Sequence, residues 1–95
     1  MTIYTEEHKQ AVAALIDNHT SVALDVHSRE AIKTVAFASM DDEDKKFTAI
    51  EIADIVCDYI IQNFSGDVYM ATVCWQMCPK DIVLALRSEI IKALP

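Results

Sequence analysis

Glycine and proline are nearly missing from these 95 residues. Gly66 stands alone, and Pro79 and Pro95 are the two prolines. A β-sandwich or barrel turns often, and its turns need Gly, Asn or Pro. Their scarcity favours helices joined by short polar links. Positive charge is scarce as well. Eight Lys and Arg face fifteen Asp and Glu, leaving a formal charge of −7. A phosphate-binding surface needs clustered Lys and Arg, so direct binding of nucleic acid or of an anionic membrane is not expected. The three cysteines are an odd number, which argues against a disulfide framework and for reduced thiols in a cytoplasmic protein.

Other absences narrow the class further. No uncharged stretch approaches the ~20 residues of a membrane span. The segment Met1–Glu7 lacks a basic stretch followed by an apolar run, so a signal peptide is not expected. There is no G-x-S-x-G, no phosphate loop, no H-E-x-x-H and no dinucleotide fingerprint. An enzyme is therefore not expected, and no cofactor is implied. No internal repeat, low-complexity tract or interdomain linker is visible.

Apolar residues, by contrast, are abundant at 53%. A dense core is expected, with more apolar surface than one small core needs. Thr5 reads as an N-cap, with Glu6 and Glu7 at the positive end of the helix dipole. Helix 1 should run to about Asn18, with His8, Val12, Leu15, Ile16 and His19 inward. Residues 21–27 alternate like a short strand but have nothing to pair with, so helix or irregular chain is preferred. Ser28 is the expected cap of helix 2, which reaches about Met40 with Ala31, Ile32, Val35 and Ala38 inward. Thr48 and Glu51 form a T-x-x-E capping box, with Phe47 and Ile52 as the hydrophobic staple.

Helix 3 should therefore run from Thr48 to Phe64, with Ile52, Ala53, Val56, Tyr59, Ile60 and Phe64 on one side. Gly66 suits a left-handed C-cap and Asp67 an N-cap, giving an uncharged helix 4 over 68–77. Pro79 fits the first position of helix 5, whose core stripe is Val83, Leu86, Ile90 and Leu94. The expectation is a single all-α domain over residues 1–95. It is a compact bundle of about five short helices, with helices 3 (about 48–64) and 4 (about 67–77) central.

Two surfaces are candidate sites. Seven of the fifteen acidic residues fall between Asp41 and Asp58: Asp41, Asp42, Glu43, Asp44, Glu51, Asp54 and Asp58. Only Lys45 and Lys46 oppose them within that segment. Such a face could dock on a basic protein, including one that ordinarily holds nucleic acid, and inhibit it by mimicking a phosphate backbone. Inhibitors carried by mobile elements against host defence work in this general way. The competing reading is a solvated loop and helix face. The second surface is apolar: Phe37, Met40, Trp75, Leu84 and Ile91 fall outside the expected core stripes. Residues of these types often mark a partner or homodimer interface, which would make the chain an oligomeric adaptor.

Metal and DNA readings are weaker. Cys74 and Cys78 form one helical C-x3-C pair with no second pair, unlike zinc knuckles. A metal-dependent enzyme would have to be built around such a pair, so no metal site is expected. Helices 3 and 4 have a helix-turn-helix outline, but residues 68–77 contain no Arg or Lys to reach a phosphate or guanine.

Overall fold

The structure is a computed structural model that describes the backbone of residues 4–21, 24–74 and 79–95. Its described side chains are those of 4–21, 24–63 and 82–95. All the regular structure there is helical: α1 (Glu6–Thr20), α2 (Val26–Met40), α3 (Ala49–Cys74) and α4 (Pro79–Ala93). The all-α bundle is as expected. Among the described residues the helices number four, because the expected third and fourth are one element through Cys74.

The caps explain where three helices start. Thr5 Oγ1 accepts from the His8 amide, and His8 Nδ1 accepts in return from the Thr5 amide at 3.0 Å. Asp25 caps α2 by accepting from the Ser28 amide at 2.8 Å. This corrects the assignment of Ser28 as the cap. Asp25 lies three residues earlier and carries a charged acceptor, the stronger partner for an open helix end. Its pKa is lowered by the bonds from Ser28. At α3 the Thr48–Glu51 box forms in both directions, at 3.2 and 3.1 Å. Phe47 packs on the core and Ile52 is fully buried, as a staple requires.

Gly66 does not end α3. The helix passes through Ser65, Gly66 and Asp67, and no described glycine has a positive φ. A lone glycine costs a helix interior only about 1 kcal/mol relative to alanine, which an otherwise favourable apolar run can absorb. At 26 residues α3 is about 39 Å long, against about 22 Å for each 15-residue helix.

α1 packs on α2 and α4, and α3 packs on α2 and α4. Among the described residues the diagonal pairs do not meet. The helices thus form a closed ring around one core, and none is central. Val12, Ile16, Ile32, Ala36, Ile52, Ala53, Val56, Leu86 and Ile90 are completely inaccessible. The α4 stripe Val83, Leu86, Ile90 and Leu94 is buried as its spacing foretold. On α2 the buried positions are Ile32, Ala36, Ser39 and Met40, while Ala38 is exposed. The inward side is therefore rotated from the expected one. Thr20 rather than His19 completes α1. Thr20 and Ser39 satisfy their buried hydroxyls on the carbonyls of Ile16 and Val35.

A regularity invisible in residue identity appears in burial. Tyr4, Val12, Ile16 and Thr20 are buried, and so are the residues twenty positions later: Leu24, Ile32, Ala36 and Met40. The caps Thr5 and Asp25 share that spacing. The α1–α2 hairpin is built from two segments with one pattern of contact and different side chains.

Polar bonds then hold the ring in register. The Tyr4 hydroxyl donates to the Phe47 carbonyl at 2.7 Å, tying the start of α1 to the start of α3. Asp17 on α1 receives Arg29 at 3.1 Å and Lys33 at 2.8 Å, both from α2. The Lys33 bond is the main reason that the Asp17 carboxyl is held below the usual range.

Two outcomes are expected. Gly66→Ala should raise thermal stability by about 0.5–1 kcal/mol, since an α-helical position accepts a Cβ. A left-handed cap would instead give destabilisation. Because Asp17 titrates lower in the folded chain, its contribution is complete above the unfolded value. It is lost as pH falls through the folded one. Asp17→Asn should cost roughly 0.5–1 kcal/mol at pH 7, a value kept small by solvent screening, and should flatten the acid limb of a stability–pH curve.

Candidate binding surface

The acidic residues are distributed over two places. Asp41, Asp42, Glu43 and Asp44 occupy the link after α2, while Glu51, Asp54 and Asp58 lie on α3. All are exposed except Asp42, which is half-buried. Four of the seven already have structural work. Asp41 pairs with Lys9 of α1 at 2.6 Å, and that bond raises the Lys9 pKa. Asp42 Oδ1 accepts from the amides of Asp44 and Lys45, at 3.1 and 3.0 Å, and closes the link into a turn. Lys46 completes that turn with a φ of 50° while its amide donates to the Asp42 carbonyl.

Glu51 caps α3, as above. Asp54 Oδ1 takes the Arg87 Nε of α4 at 2.6 Å. Asp44 and Asp58 make no ion pair with another described residue. Lys45 lies 5.8 Å from the Phe47 ring centre, over its face. The acidic residues are largely exposed, but their charge is partly compensated by Lys9 and Arg87, which sequence spacing could not place there. Both cations come from helices remote in the chain.

The apolar candidates separate. Met40 is 2% exposed and belongs to the core, which corrects its assignment to the surface. α2 is rotated so that Met40 follows Ile32 and Ala36 inward. Phe37 is partly buried against the same core. Leu84 is exposed, and Ile91 is partly buried against the core. Trp75 and Cys78 lie outside the described residues, as does the side chain of Cys74. Sequence reading missed Val26, Ile50 and Ile61, which with Leu84 are the large exposed apolar side chains among the described residues. Ile50 and Ile61 could have been flagged, because they sit eleven residues apart, close to three whole turns.

Groups of three His, Cys, Asp or Glu able to hold a metal are absent among the described residues. No described helix is long and apolar enough to cross a membrane. Cys57 is buried, and its Sγ lies 3.5 Å from the Val83 carbonyl. Burial first, then the nearby Asp54 carboxylate, pushes this thiol up to about 11. A catalytic cysteine needs the opposite setting, an electropositive one that favours thiolate. No family model matches the chain, and no curated protein or solved structure shows significant similarity to it.

In a Cys74→Ser/Cys78→Ser variant, Cys57 should react with a thiol reagent at least about 100-fold more slowly in the folded chain than in denaturant. Equal rates would show that the thiol is accessible.

Proposed function

We propose that this protein is a non-catalytic binding module that docks the acidic segment Asp41–Asp58 on a basic protein surface. One observation carries the reading. The link after α2 and the outer side of α3 present Glu43, Asp44, Glu51 and Asp58 to solvent, in a chain of charge −7. A clustered negative potential accelerates encounter with a positive surface and disfavours acidic partners. If that positive surface normally binds nucleic acid, occupation by this chain is competitive inhibition by mimicry. The structural duties of Asp41, Asp42, Glu51 and Asp54 restrict the docking set. Asp44 and Asp58 are its best-placed members, with Glu43 next to Asp44.

The test uses the full chain as bait for proteins from its own cell. A captured partner should be basic, be released by salt, and be displaced by duplex DNA if mimicry applies. Asp44→Asn with Asp58→Asn should weaken that complex about tenfold and reduce the slope of affinity against salt. Neither side chain makes an ion pair with another described residue, so folding is expected to be unchanged. Unaltered affinity and unaltered salt slope would remove the proposal.

A further inference from the structure

The α3–α4 side of the bundle carries a second surface, which borders the acidic set at Asp54 and Asp58. Among the described residues, three of the four large exposed apolar side chains fall on it: Ile50 at 52%, Ile61 at 51% and Leu84 at 49% exposure. On α3, Ile50, Asp54 and Ile61 follow at spacings of four and seven, which keeps them on one side. On α4, Leu84, Arg87 and Ile91 follow at spacings of three and four, and they share a side too. Two cross-helix contacts set the antiparallel register. Asp54 meets Arg87 at 2.6 Å, and Cys57 Sγ lies 3.5 Å from the Val83 carbonyl. At that register Ile50 stands level with Ile91, and Leu84 stands between the levels of Asp54 and Ile61.

The face is thus apolar at both ends, with the Asp54–Arg87 pair between them and the exposed Asp58 beside it on α3. We infer that it binds a second copy of this chain, about a two-fold axis parallel to the helices. That rotation lays α3 of one protomer on α4 of the other without changing level. Asp54 then faces Arg87 of the second copy, and Ile50 faces Ile91. The two Asp54–Arg87 pairs become a square of alternating charges, with Ile50 and Ile91 at one end of it. The other two-fold consistent with face-to-face packing runs across the helices. It sets α3 on α3 and brings Asp54 and Asp58 towards their own symmetry mates, which like-charge repulsion opposes. Charge complementarity therefore selects the parallel axis. An isologous contact of this kind closes at two and does not propagate into a filament.

This arrangement puts both acidic links at the same end of the dimer. It does not require them to bind anything.

The test is the mass of the full chain in solution, by sedimentation equilibrium over about 1–100 μM. A concentration-dependent dimer is expected. Arg87→Asp should weaken it at least about tenfold, because four carboxylates then meet at the centre. Combining Arg87→Asp with Asp54→Arg restores alternation and should recover most of the loss. Leu84→Glu and Ile61→Glu change exposed side chains, so helicity and melting temperature should hold while the dimer dissociates. A wild-type chain that stays monomeric over the whole range overturns the inference. So does a dimer indifferent to Leu84→Glu and Ile61→Glu, or a swapped variant that remains as weak as Arg87→Asp alone. None of these outcomes depends on an acidic-face partner, so the two proposals fail separately.

Discussion

The closed ring of helices around one apolar interior is the constraint on which everything else in this protein rests. A 15-residue helix is marginal by itself in water, because nucleation is unfavourable and few hydrogen bonds offset it. Here α1, α2 and α4 are each 15 residues long and become stable by laying a stripe against two neighbours. Ile16, Ile32, Val56 and Leu86, one from each helix, lose all contact with water. The equal burial pattern of α1 and α2 follows from that geometry. Both helices sit at corresponding places in an antiparallel hairpin, so both need buried positions at the same offsets from their caps. The geometry specifies burial and leaves residue identity open, which is why no repeat can be read from the letters.

The acidic composition acts on the fold before it is offered to any partner. Asp17 bridges α1 to α2, Asp41 ties α1 to the link after α2, and Asp54 joins α3 to α4. Asp25 and Glu51 cap helices and Asp42 shapes a turn. A net charge of −7 therefore overstates the charge free to attract a basic surface. Of the seven acids from Asp41 to Asp58, Asp44 and Asp58 make no ion pair with another described residue. The scarce cations are spent mainly between helices, where a bond to a partially screened carboxylate sets register as well as adding modest stability.

The two proposed surfaces follow from different physics. The acidic one uses long-range potential and predicts salt-sensitive, fast association with a partner of opposite sign. The α3–α4 face uses apolar contact, with a central ion pair that selects orientation. Arg87 serves the second, and by pairing with Asp54 it also withdraws one carboxylate from the first.

Features decided within one helical turn were legible in the sequence. The caps at Thr5 and Thr48, the start of α4 at Pro79 and the stripe Val83, Leu86, Ile90 and Leu94 depend on residues no more than four apart. The all-helical class followed from the scarcity of turn residues. Tertiary structure alone decided the facing of α2, which puts Met40 in the core and leaves Ala38 outside. A helix with apolar residues on several sides can bury any of them, and the neighbours choose. It also decided that Gly66 lies inside α3, since glycine permits both a turn and a helix. Finally, it decided which cations meet Asp41 and Asp54. Lys9 and Arg87 are far away along the chain, and only folding brings them within bonding distance.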